Sequence, residues 1–229
     1  MRTSWKSELP QLAIIAGLFA WSAYLWPSAP ERMPVHFDLS GNVDRMGSRL
    51  EGLFAMPTVA LVIYLVLRFL PRLDPARENY ASFAGAYSAL RLTLVVMLAL
   101  VDLAVLLPVV GVPIDQAAAI RLLVGGLLLV LGAVMGKIRP NWFVGIRTPW
   151  TLASKQSWVK THRLGGWVFM LAGLAFIASL ALPTTPAFVV SFGVMAVGLT
   201  WIITYSYLVW RRDPIRYPAI GSRPAGDTF

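Results

Sequence analysis

Cysteine is absent from this 229-residue chain, histidine occurs twice, and charged residues make up only 14% of it. Without cysteine there can be no disulfide, no thiolate metal site and no cysteine nucleophile. No G-x-x-x-x-G-K-[ST] loop, H-E-x-x-H pair or G-x-S-x-G elbow occurs either, so nothing marks a catalytic or cofactor site. A soluble domain carries about 25% charged residues. Here that polarity is missing, and 57% of the residues are hydrophobic.

What is present is long apolar runs. Six of them, Leu9–Trp26, Leu53–Leu70, Leu90–Val110, Ala117–Met135, Trp167–Leu182 and Ala187–Trp210, approach the ~20 residues a helix needs to cross the bilayer core. None alternates as a membrane barrel strand must, and backbone polar groups cannot stay open in lipid, so the spans are expected to be helices. The expected fold is an all-α polytopic membrane helix bundle, one integral-membrane domain over residues 1–229. Gly111-Val112-Pro113 and Pro183-Thr184-Thr185-Pro186 read as tight turns between neighbouring spans. The first run could also read as a secretory signal, since Arg2 and Lys6 precede it. Its closing Trp21, Tyr24 and Trp26 favour a retained span with an interfacial anchor.

The net charge is +9. With the amino terminus in the cytoplasm, 16 of the 20 Lys and Arg fall inside, leaving Arg32, Arg45, Arg49 and Arg121 outside. Basic residues set orientation, so both termini are expected in the cytoplasm. The charge then needs no nucleic acid to explain it.

Two connections are dense in specific residues. The outer one, residues 27–52, contains Pro34, His36, Phe37, Asp38, Gly41 and Asp44. Pro34-Val35-His36-Phe37 favours extended chain and Ser40-Gly41-Asn42 a turn, with Gly41 free to take positive φ. One histidine with two nearby carboxylates is weak evidence for a metal, so a compact turn is the preferred reading and no metal is assigned.

The inner connection, residues 136–166, has six basic residues and no acid. It carries Lys137, Arg139, Pro140, Asn141, Trp142, Gly145, Arg147, Pro149, Trp150, Trp158, His162 and Arg163. Thr151 is expected to cap a short helix to about Arg163, with Lys155, Trp158 and His162 on one side and Gly165-Gly166 ending it. Tryptophan and basic residues beside spans serve as headgroup anchors on anionic lipid. The alternative is a docking surface for an acidic cytoplasmic partner.

Both segments resemble one family, the SdpI-like bacterial membrane proteins. The stretch from Pro34 to Asp44 is similar to a small uncharacterised domain near the amino terminus of many members. The stretch from Lys137 to Thr151 resembles the family signature, and Trp158, Lys160, Thr161, His162, Arg163 and Gly166 its continuation. Lys155-Gln156 departs from it, standing where acidic residues are common. The resemblance implies an immunity protein against a secreted membrane-active peptide toxin, and a receptor that sequesters a cytoplasmic repressor at the inner membrane.

Charged residues also enter the spans. By helical rise Asp102 lies ~12 Å and Arg121 ~6–7 Å from the outer surface, on antiparallel neighbours. Asp102 is therefore expected to face the bundle interior, paired with Arg121 or neutral, because an unpaired charge at depth is costly. Arg68 and Arg91 are expected to snorkel to the headgroups. Gly125, Gly126, Gly132 and Gly136 offer small surfaces for helix packing within the bundle. His36 and His162 fall on opposite membrane faces, which argues against an enzyme. The rival from another class is a small transporter, but the chain shows neither an internal repeat nor a broken mid-span helix.

Overall fold

The computed structural model describes residues 5–38 and 40–215. Arg2, Leu39, Arg216 and Arg223, used above for topology and motif, lie outside the described residues.

Among these residues six helices are long and apolar enough to cross a membrane. They are α1 (Trp5–Leu25), α2 (Arg49–Leu73), α3 (Ala84–Leu106), α4 (Gln116–Met135), α6 (Lys155–Ala178) and α7 (Thr184–Arg211). A single helical turn, α5 (Pro149–Leu152), precedes α6. Between α1 and α2 the chain forms an antiparallel hairpin, β1 (Arg32–Phe37) and β2 (Val43–Ser48).

The chain's own polar residues set the helix starts. Ser48, Asp115 and Ser154 accept the N–H groups of Glu51, Ala118 and Ser157 at 3.2, 2.9 and 2.9 Å, capping α2, α4 and α6. Gly111, at φ +86°, turns the chain between α3 and α4. The connection between α6 and α7 is short as expected, but it falls earlier: Ser179–Ala181 forms a 3-10 turn, and α7 already begins at Thr184 with Pro183 at its N-cap.

Packing proceeds stepwise along the chain. α1 lies on α2 and α3, α3 on α4, α4 on α6, and α6 on α7. Ile15, Leu18, Ala60, Tyr64 and Val95 join the first three helices. The α4–α6 seam is the closest. A Cβ added to Gly132 would lie 2.6 Å from the Gly166 carbonyl oxygen, and one on Gly173 2.7 Å from that of Gly125. Small residues let two backbones meet this way, the main route to helix association where the solvent is itself apolar. Gly126 and Gly136, by contrast, face open space.

That seam corrects one expectation. Gly165-Gly166 does not end a helix. α6 runs through both, starting at Lys155 rather than Trp167, because neighbouring helices fill the space that glycine leaves. The outward faces remain apolar, with Leu171, Leu174, Val189 and Val197 more than half exposed. In water such a surface would aggregate, whereas lipid solvates it.

Candidate functional site

The outer hairpin is built around Asp38. Its Oδ1 accepts the N–H groups of Ser40 and Asn42 at 2.8 and 2.9 Å, and its Oδ2 the Asn42 side-chain amide at 3.2 Å. These bonds hold the Asp38 carboxyl below the usual carboxylate range, the Asn42 backbone contributing most. Gly41 takes φ +85°, and a Cβ there would lie 2.8 Å from the Ala117 nitrogen, so the tip rests on the start of α4. His36 Nδ1 meets Asp44 Oδ1 at 2.6 Å across the exposed face. Among the described residues no group of three His, Asp or Glu side chains could hold a metal ion. Pro34 pairs with Met46 in the ladder, with a bulge before His36. Met33, fully buried, pins the strand to Leu25, Leu53 and Leu106.

Beneath this hairpin lies a crevice of about 240 Å³. Val35, His36 and Phe37 roof it, and Met56, Met97 and Ile120 are among the apolar side chains of α2, α3 and α4 that line it. It is suited to an apolar side chain or an acyl chain.

On the inner connection, the candidate residues divide by burial. Asn141 is 2% exposed: its Oδ1 accepts the N–H groups of Phe143 and Val144, and its Nδ2 donates to the carbonyls of Arg139 and Val144. Asp74, beyond the end of α2, accepts from Tyr80 Oη at 2.8 Å and from the Trp142 N–H at 3.0 Å. The Asn79 side chain donates to the Pro140 carbonyl. Trp158 is fully buried and donates Nε1–H to the Ile138 carbonyl at 2.9 Å. Truncating such a side chain costs about 3–5 kcal/mol, far more than a headgroup anchor is worth. Trp158 is therefore core, and Trp150 packs edge-on against Tyr207.

His162 stacks on Trp158 with ring centroids 4.1 Å apart. Its Nε2 accepts the Ile146 N–H at 3.0 Å, which leaves Nδ1–H to donate to the Trp158 carbonyl at 2.8 Å. This tautomer follows from the partners. Lys155, expected on the same side, is exposed instead. The expected cap also moves by one element. Thr148 caps α5 and Thr151 completes the capping box, while Ser154 starts α6 and bonds Asp213. Outside this frame Lys137, Arg139, Arg147, Pro149 and Arg163 are exposed, and Arg147 braces the loop through the Trp142 carbonyl.

The expected pair between Asp102 and Arg121 does not form. Both are buried, but Arg121 donates to the carbonyls of Ala117, Ser179 and Leu182 at 3.0, 2.9 and 3.3 Å. The last carbonyls of a helix lack intrahelical partners, and the end of α6 offers them to the start of α4. Asp102 lies fully inside the bundle, with neither oxygen hydrogen-bonded to a described residue. Arg91 does not snorkel either. It is 2% exposed and grips Glu8 with two bonds, of 2.9 and 2.8 Å, while Tyr64 donates to the same carboxylate at 2.7 Å.

Comparison with known proteins connects both segments. Residues 137–206 match the SdpI/YfhL protein family, and residues 13–61 match a domain of unknown function, DUF1648. Over 200 residues, 87% of this chain and 92% of the relative, the sequence is 26% identical to "Immunity protein SdpI" of Bacillus subtilis (strain 168). In both segments the chain is similar to the SdpI-like membrane proteins. No solved structure matches it.

The region that matches the SdpI/YfhL family takes in the pinned inner loop, α5, α6 and most of α7, so the matched residues form one folded frame. The DUF1648 region takes in α1 from residue 13 onward, the hairpin and the first half of α2. Reading the sequence missed Asp74, Tyr80 and Asn79, because nothing local ties a polar residue after α2 to a loop more than sixty residues later. It also missed Glu8. A glutamate at the very start of an apolar run, with arginines on later spans, was the available signal.

Proposed function

We propose that this chain is an immunity protein of the bacterial inner membrane, protecting its cell against a secreted membrane-active peptide. The observation that carries the reading is the match to immunity protein SdpI along 87% of this chain. In this reading both termini are cytoplasmic and the hairpin faces outward. Pro34, His36, Phe37, Asp38, Gly41 and Asp44 then form the toxin-facing surface, and the crevice beneath takes an apolar side chain of the peptide. What supports this is an exposed polar tip set directly above an apolar opening.

The inner frame supports a second step, capture of a cytoplasmic repressor. Its buried residues fix the loop, and Lys137, Arg139, Arg147, Lys155 and Arg163 present positive charge from a rigid base. An acidic protein surface is the complementary partner, with anionic lipid the competing one.

Expression in a toxin-sensitive strain tests the first step. Survival above the empty vector is expected, and survival equal to it, with the protein inserted, overturns the reading. His36→Ala should weaken protection and leave recruitment intact. Arg139→Ala with Arg163→Ala should abolish recruitment of a repressor and leave insertion intact; a mild effect would assign these residues to lipid.

A further inference from the structure

Four arginines from three elements converge at one end of the bundle. Arg68 and Arg72 stand on the last turns of α2, Arg77 opens the 3-10 turn that follows, and Arg91 lies two turns into α3. With Glu78 and Tyr87 they line a cavity of about 510 Å³.

The charges in this cavity are unevenly matched. Arg91 is fixed by Glu8, yet its own Nε–H is buried without a partner among the described residues. Arg68 reaches the same Glu8 oxygen at 3.5 Å. Arg72 and Arg77 make no ion pair with a described residue, and Arg72 lies over the Phe69 ring. The wall of the cavity thus carries four guanidiniums and one carboxylate, Glu78, with Glu8 bonded to Arg91 from behind. Arginines serving only as surface anchors would splay outward, each into its own solvent. Gathered around a concavity, they repel one another until an anion enters.

We infer that this cavity binds a phosphate-bearing anion, held by Arg68, Arg72 and Arg77 against the fixed charge of Arg91. Guanidinium forks match phosphate oxygens in pairs, which is why arginine dominates such sites. The cavity lies between the end of α2 and the start of α3, and the end of a membrane-spanning helix reaches the level of lipid headgroups. The phosphate can thus come from an anionic phospholipid or from free phosphate. The inference stands apart from the immunity reading, since it uses no residue of the hairpin or inner loop.

Calorimetry on the full-length protein in a neutral detergent tests it, with inorganic phosphate, dihexanoyl phosphatidylglycerol and dihexanoyl phosphatidylcholine as probes. Saturable binding of phosphate or phosphatidylglycerol is expected, weakened about tenfold or more in R72Q/R77Q. The charge-matched R32Q/R45Q on the hairpin should bind as the parent does. Arg72 and Arg77 are exposed, so the fold should persist, and R68Q supplies an independent variant. Binding of phosphatidylglycerol alone identifies a lipid headgroup, whereas binding of phosphate identifies a site open to the free ion. No saturable binding of either anion, equal binding of phosphatidylcholine, or equal loss in R32Q/R45Q overturns the inference.

Discussion

His162 holds the inner loop by its ring, accepting the Ile146 N–H at Nε2 across 3.0 Å, and Gly145 is the residue that lets the loop come this close. Gly145 takes φ +115°, and a Cβ there would collide with His162 Nε2. Gly145→Ala therefore meets two obstacles, a left-handed backbone that costs about 1–2 kcal/mol and a lost bond worth about 1 kcal/mol. Thermal unfolding in detergent should show destabilisation of about 2 kcal/mol or more. An unchanged transition would mean that the loop is not pinned to α6.

Glycines on one helix should behave in opposite ways. Gly132→Ala places a methyl against the Gly166 backbone and should push α4 from α6, lowering stability. Gly126 faces open space, so Gly126→Ala should gain up to about 1 kcal/mol of helix propensity. Comparing the two in the same detergent separates seam packing from helix formation.

Arg91 depends on Glu8. Removing one partner of a buried pair leaves an uncompensated charge, at a cost of about 3–5 kcal/mol. Glu8→Leu alone should therefore destabilise strongly. The double variant Glu8→Leu with Arg91→Met should recover most of the loss. If the double variant were as unstable as the single one, the pair would be acting through shape and not charge.

The hairpin tip should resist acid. The hydrogen bonds to Asp38 favour its ionised form, so its folded-state pKa is depressed. The stabilisation it gives is present above the ordinary carboxylate value and is lost as pH falls through the depressed one. The Asn42 amide signal, followed by NMR, should titrate with a midpoint below the about 3.9 of a free aspartate. Asp38→Asn should keep the tip and remove this titration, and Asp38→Ala should loosen the tip.

The chain's patterning determined the class of the protein by itself. Six apolar runs specify membrane helices because a bilayer leaves the backbone few other ways to satisfy its hydrogen bonds. Local chemistry also placed the Gly41 turn and the extended stretch before it. Two ordered segments were enough to suggest the family. Tertiary structure decided what each residue in those segments does. Trp158 and Lys155 are close in sequence and alike as membrane-interface residues, yet one is core and the other surface. Gly165-Gly166 reads as a stop, but α4 makes it a seam. Arg91 finds Glu8 across 83 residues, and Arg121 finds the carbonyls at the end of α6 instead of Asp102. Composition and periodicity report how a segment meets its solvent. Which polar group meets which depends on how helices distant in sequence are brought together, and that pairing leaves no local trace.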